Sequence, residues 1–339
     1  MKTLSIILSM FQTAVRPQHS LAAQQYLLQT KDGAATCIRH YQGEGEPVLI
    51  AHGITSNLNF WDMRKDRSLA VYLHQQGYDV WLSSFRGHDC AKINVDGKPQ
   101  QSGWTIDHYG KYDLDAVIEH ITENSKQNSL HFVAHSLGGM ALMSYIDTHS
   151  DERLSSVSLA GTPGDFADAD AALKLAINIG PYSPSSIPTD QLAKLISILP
   201  ITPFENLIYS KTHRNFTDHR DMLSTVAGPT SRGEIEHMLQ TFELGYFAPF
   251  GETRSHLVTI EQATTPLLLI AGRADHIAPV DRVYRYYQHW GGAKTFVIAG
   301  REYGFKSDYG HCDVSMGEKA PEEIYPLILR QIKSTSSSQ

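Results

Sequence analysis

From Tyr26 onward, apolar residues fall into short runs divided by polar turns, and the runs alternate between two periods. Residues 26–29 and 36–41 flank Lys31-Asp32-Gly33, which predicts a hairpin. Residues 47–51 are continuously apolar, as in a strand buried on both faces. Residues 68–76 then put Leu69, Tyr72 and Leu73 on one helical face and stop at Gly77. Another strand is predicted at 78–82. Leu114, Val117, Ile118 and Ile121 recur at helical spacing. A strand at 130–134, a helix at 138–147 and a strand at 155–160 complete the first half. Such alternation predicts the α/β class, with right-handed crossovers and a mostly parallel sheet covered on both faces.

The alternation breaks after Gly164. Between Asp165 and Glu261 the pattern is helical (168–179, 189–199, 234–242) with Pro- and Gly-rich turns, and no buried strand is expected. It resumes with strands at 266–270 and 295–298 and helices over 280–290 and 321–331. Residues 25–164 and 262–333 therefore predict one core, and 165–261 a helical cap inserted between two of its strands. Residues 1–24 form an N-terminal extension, either a covering amphipathic helix or a signal peptide. Arg16, Pro17 and His19 argue against a cleavage region, so a cytoplasmic location is expected, with secreted or periplasmic as the alternative.

Composition narrows the possibilities. The 339 residues are 41% hydrophobic and 19% charged, enough apolar mass for a large core and too much for a disordered chain. The net charge of −7 disfavours nucleic acid as a partner, since phosphate binding needs concentrated cation. No run reaches the length of a transmembrane helix. The three cysteines, Cys37, Cys90 and Cys312, hold no zinc-type pair; a Cys37–Cys90 bridge stays open for an oxidising compartment.

Candidate chemistry centres on Phe132-Val133-Ala134-His135-Ser136-Leu137-Gly138-Gly139-Met140. An apolar strand ends at a serine flanked by small residues and a helix starts at once, the context of a nucleophile elbow. Gly138 meets the need for a small residue after the serine, and Ala134 stands where the motif prefers Gly. The turn would present the Ser136 hydroxyl at the sheet edge and aim the Leu137 amide at a developing oxyanion. A second amide is expected from Ile54, because His52-Gly53 follows the first parallel strand. Ser136 needs a base and the base a carboxylate, in the chain order Ser, acid, His. Asp275 leaves the strand at 266–270 and is the expected acid; Asp165 is held in reserve, and Asp281 reads as the first-turn acid of the next helix. Of 17 histidines only His276, His289 and His311 follow Asp275. His276 is too close in sequence and His289 lies in a helix, which leaves His311, in the loop between the last strand and last helix.

These residues resemble the α/β-hydrolase superfamily, and several segments are similar to its acid-lipase-like, serine esterase branch. They are His52-Gly53 with Asn59-Phe60-Trp61, Gly77-Tyr78-Asp79-Val80-Trp81-Leu82 running to Arg86-Gly87, Lys111-Tyr112-Asp113-Leu114, and His311-Cys312-Asp313. Ala134, and Leu137-Gly138 in place of Gln-Gly, point to the superfamily more than to true triglyceride lipases. The resemblance implies Ser136 as nucleophile, Asp275 as acid, His311 as base, and Ile54 and Leu137 as oxyanion donors, with His52, Gly53, His135 and Gly138 in support. It implies hydrolysis of a small-molecule carboxylic ester through an acyl-enzyme, with no metal or organic cofactor. Acyltransferases, thioesterases and other tailoring hydrolases share the same residue set, and a non-catalytic binding protein on this fold is the rival from another class. Ile179, Tyr182, Ile196, Ile198, Leu199, Phe204, Leu207, Tyr246 and Phe247 of the cap are expected to line the cleft or to pack the cap onto the core.

Overall fold

The computed structural model describes residues 21–100, 102–167, 186–187, 189–196, 209–210 and 216–336. Eight strands form one sheet: β1 (Gln24–Gln29), β2 (Ala35–Tyr41), β3 (Pro47–Ala51), β4 (Asp79–Ser84), β5 (Leu130–His135), β6 (Leu154–Ala160), β7 (Leu267–Gly272) and β8 (Lys294–Ala299). Their spatial order is β1-β2-β4-β3-β5-β6-β7-β8. β2 runs antiparallel to β1 and β4, and the remaining neighbours are parallel. The expected hairpin and parallel sheet are both present, with boundaries moved by one or two residues.

Among the described residues the longer helices are α1 (Leu69–Gln75), α2 (Asp115–Asn124), α3 (Leu137–His149), α4 (Thr189–Ile196), α5 (Phe216–Thr225), α6 (Arg232–Leu244), α7 (Val280–His289) and α8 (Tyr325–Thr335). Strand residues alternate between two cores. Leu49, Ala51, Phe132, Ala134 and Leu269 face α2, α3 and α7. Val48, Ile50, Val133, Leu268 and Ile270 face α1 and α8. β3 and β7 are thus apolar throughout, because each side chain leaves water whichever way it points; a large apolar side chain contributes about 1.5–3 kcal/mol on full burial. Caps set the helix starts: Ser68 Oγ accepts from the Val71 amide at 2.9 Å, and Ser231 and Glu234 form a capping box on α6. A π-helical turn at Tyr109–Leu114 leads into α2, and the predicted last helix is split into Ala320–Glu323 and α8.

The segment between β6 and β7 carries α4, α5, α6 and a two-residue ladder of Ser186–Ile187 with Thr230–Ser231, a pairing too short to leave a strand signal. The predicted helix at 168–179, the N-terminal extension through residue 20, and Ile179, Tyr182, Ile198, Leu199, Phe204, Leu207 and the Ile196 side chain lie outside the described residues. Phe247 belongs to the core: it is fully buried with Phe166, Met238 and Leu257 on the α3 side of the sheet. The hydroxyl of half-buried Tyr246 donates to the Thr253 carbonyl at 2.9 Å. The start of the insert pairs with the residue that closes α6, where the Phe166 amide donates to the Gly245 carbonyl at 2.8 Å. A disulfide joins Cys37 on β2 to Cys90 in the turn after β4. Among the described residues no helix is long and apolar enough to cross a membrane.

Candidate active site

β5 ends at His135 and α3 begins at Leu137, so the chain reverses at Ser136 alone, with φ 50° and ψ −118°. For a residue with a Cβ this left-handed backbone costs on the order of 1–3 kcal/mol, and its neighbours hold it there. The Ser136 amide donates to the Ala160 carbonyl at 2.9 Å, and Thr162 Oγ1 donates to the Ser136 carbonyl at 3.1 Å. Gly138 is required by close approach: a Cβ there would lie 2.7 Å from the His52 carbonyl oxygen and 3.2 Å from the Ala134 Cβ. The latter contact explains why Ala is tolerated at 134: its methyl uses space that Gly138 leaves.

The three residues separated in sequence converge. His311 Nε2 lies 3.0 Å from Ser136 Oγ, and His311 Nδ1 donates to Asp275 Oδ2 at 2.8 Å. Asp275 Oδ1 accepts from the Ile277 and Ala278 amides at 2.9 and 2.8 Å, so the turn after β7 fixes the carboxylate. All three side chains are buried. Gly161, with φ 60°, lies beneath the histidine–carboxylate bond; a Cβ there would stand 3.3 Å from His311 Nδ1. The reserve acid, Asp165, lies elsewhere, paired with Arg282 at 2.6 Å and Arg285 at 3.3 Å. His276 is exposed and His289 pairs with Glu261 at 2.7 Å, so neither approaches Ser136.

The loop after β3 runs over this constellation. A Cβ on Gly53 would fall 3.3 Å from the Ser136 Cβ and 2.8 Å from His135 Nδ1. His52 Nδ1 donates to the Gly53 carbonyl at 2.8 Å, fixing the peptide plane that carries the Ile54 amide. Leu137 is the first residue of α3, and the first-turn amides of a helix have no partner within it. The insert grips the same loop: the Gly228 amide donates to the Thr55 carbonyl at 2.7 Å, and Asn57 Nδ2 donates to the Thr225 and Ala227 carbonyls at 3.0 and 3.1 Å.

Three further histidines surround the site without competing for the serine proton. His135 Nε2 donates to the His311 carbonyl at 2.9 Å, and its ring stacks on Phe60 at 4.6 Å. Burial, and then the nearby His311, hold His135 well below the usual imidazole range. Burial, and then His88, push His52 down to about 3, and burial lowers His88 as well. All three are neutral near pH 7. Sequence reasoning named His52 and His135 as support but missed Gly161, Thr162, His88 and the Asn57 clamp. The Gly161-Thr162 pair directly after β6 is the signal that could have found the first two.

A family model described as the alpha/beta hydrolase fold matches residues 46–314. Lipase lipl-1 of Caenorhabditis elegans is 23% identical over 86% of this chain and 81% of its own length. Lipase lipl-5 of the same organism is 31% identical over 31% of this chain, a match spanning only 27% of that protein. Among solved structures, an esterase from Exiguobacterium antarcticum superposes with a TM-score of 0.62 at 16% identity, covering 92% of this chain and 99% of its own. The sheet order, the strained serine between β5 and α3, and the family match over most of the chain agree that this protein belongs to the α/β hydrolase family.

Proposed function

We propose that the protein hydrolyses carboxylic esters through an acyl-enzyme on Ser136. The single observation carrying this reading is the chain from Ser136 Oγ to His311 Nε2 and from His311 Nδ1 to Asp275, at 3.0 and 2.8 Å. His311 takes the hydroxyl proton as Ser136 attacks the ester carbonyl. Asp275 holds the imidazole with Nε2 toward the serine and stabilises the imidazolium that forms. The amides of Ile54 and Leu137 receive the oxyanion, each such donor being worth about 3–4 kcal/mol in this kind of site. The tetrahedral intermediate collapses as His311 protonates the leaving alcohol. His311 then deprotonates water, which attacks the acyl carbonyl and frees Ser136. No step calls for a metal or organic cofactor.

The lipase relatives support a small-molecule ester with an apolar acyl part as substrate. We assign residues 165–261 to a cap over the core formed by 25–164 and 262–333. The Cys37–Cys90 bridge supports the secreted or periplasmic alternative over the cytoplasm, because such bridges persist in oxidising compartments.

The test is labelling by a fluorophosphonate probe together with hydrolysis of short p-nitrophenyl esters, wild type against Ser136→Ala. Wild type is expected to be labelled at Ser136 and to turn over, and the variant to lose at least about 10³-fold in kcat. An unlabelled, inactive wild type would overturn the reading in favour of a binding protein on the same fold.

A further inference from the structure

Two residues beyond His311, the side chain of Asp313 is completely buried. One of its oxygens, Oδ2, accepts two amides from different parts of the chain: Gly310 at 2.8 Å, next to His311, and Ser210 at 2.7 Å, in the insert. Backbone contact reinforces the junction, since a Cβ on Gly310 would lie 2.6 Å from the Ser210 nitrogen and 2.8 Å from the Tyr209 carbonyl carbon. Tyr209 and Ser210 are themselves buried, and the Tyr209 hydroxyl contacts Met222 on α5, which extends the connection into the insert.

The loop bearing His311 is otherwise tied to the core. His135 holds the His311 carbonyl at 2.9 Å, and the Ala274 amide donates to the Tyr309 carbonyl at 2.8 Å, locking the loop to the turn of Asp275. Asp313 is where this loop and the insert share one acceptor atom.

We propose that Asp313 is a positioning residue for the reaction above: by gripping the Ser210 and Gly310 amides together, it sets the approach of His311 to Ser136 according to where the insert sits. The inference rests on the reading of His311 as general base. When the Tyr209–Ser210 segment is in place, Gly310 is drawn against Asp313 and the imidazole is held within reach of the serine. When that segment shifts, the loop loses one of its anchors and the proton acceptor loosens. Protonation of Asp313 weakens both bonds at once, because an amide donates more strongly to a carboxylate than to a carboxylic acid. Burial, opposed by the two amides and by the Ser210 hydroxyl, pushes this carboxyl up to about 7. Its titratable neighbours are Asp275, whose negative charge adds to the rise, and Cys312 and Tyr309, both raised by burial and so neutral in this range.

The experiment compares wild type, Asp313→Asn, Asp313→Ala and Ser210→Pro in fluorophosphonate labelling rate and in kcat and KM for a short p-nitrophenyl ester across pH. Wild-type labelling at Ser136 checks the hydrolase reading by itself, and its failure sinks that reading before Asp313 is at issue. Given an active wild type, Asp313→Ala is expected to lose about 10–100-fold in kcat with KM within about twofold, as for removal of a charge-assisted anchor. Asn keeps an acceptor of the same shape, so Asp313→Asn is expected to lose less than about 10-fold. Because the amide does not titrate, the step of that size in wild-type log kcat as pH falls through about 7 should be absent from its profile. Ser210→Pro, which deletes both the amide and the hydroxyl that reach Asp313 from the insert, should lower kcat in the same direction as Asp313→Ala. A labelling rate and kcat at wild-type level in Asp313→Asn, with an unchanged acid limb, overturns the proposal. If Asp313→Ala does not fold, the Asn and Ser210→Pro profiles decide alone.

Discussion

Glu234 on α6 is buried in the junction between insert and core, and its charge state should be written into the pH dependence of stability. Glu234 Oε2 accepts from the Tyr109 hydroxyl at 3.2 Å and the Ser231 amide at 3.3 Å, while Trp104 Nε1 donates to the same tyrosine oxygen at 2.9 Å. Two long bonds do not offset desolvation, and burial pushes the carboxyl from 4.5 up to about 7. A carboxyl raised on folding binds its proton more tightly in the folded state than in the unfolded chain. Its stabilising form is therefore fully present below the unfolded value of 4.5 and is lost as pH rises through about 7. At 1.36 kcal/mol per pH unit the full cost is about 3 kcal/mol, of which about 2–3 kcal/mol develops between pH 5 and pH 8. Glu234→Gln removes the ionisation and keeps an oxygen acceptor. Urea unfolding of both proteins at about pH 5, 6, 7 and 8 should show the variant gaining on wild type by that amount, with m unchanged. Taking the difference cancels Asp313 and the buried histidines, which titrate equally in both. A difference that stays constant from pH 5 to pH 8 would refute the argument.

Two other expectations follow from close contacts and covalent ties. Gly53→Ala puts a methyl 2.8 Å from His135 Nδ1, and His135, stacked on Phe60, has no room to retreat. The loop carrying Ile54 must lift, so kcat should fall about 10–100-fold with a smaller change in KM, and an unchanged kcat would count against Ile54 as an oxyanion donor. Replacing Cys37 and Cys90 together by Ser opens a loop of sequence separation 53 and should cost about 2–4 kcal/mol. Thermal melts with and without reductant check this: reductant should lower the wild-type Tm and leave the double variant unmoved, and an unmoved wild type shows that the bridge does not stabilise the fold.

Central strands were legible because burial on both faces removes polar residues from β3 and β7 and leaves the Phe132-Val133-Ala134 run in β5. The elbow was legible for a steric reason: only small neighbours permit a reversal at Ser136, and that need is local in sequence. His311 and Asp275 could be ranked by position after a strand, since topology brings loops at one sheet edge together. Contacts across the fold carried no such mark. Ser210 and Asp313 are separated by 103 residues, and nothing in either segment's composition records the other. Phe247 could as well have lined a cleft as packed into the core, because an apolar side chain satisfies both; only its complete burial decides. Short elements such as Leu257–Ile260 and the π-helical turn before α2 hold too few residues to set up a period.

The grip of residues 225–228 on the loop that carries Ile54 has a consequence for how such an enzyme can be altered. Thr55, at φ 53°, sits in a strained backbone whose carbonyl is held by Gly228, and Asn57 reaches two carbonyls of the same stretch. An insert exchanged between relatives by cutting at its two chain ends would take that brace away, and the loop of Ile54 would relax toward ordinary backbone angles. Residues 225–231 therefore belong, mechanically, with the core they steady rather than with the insert in which they are numbered. Specificity transplanted from another hydrolase should be grafted upstream of them.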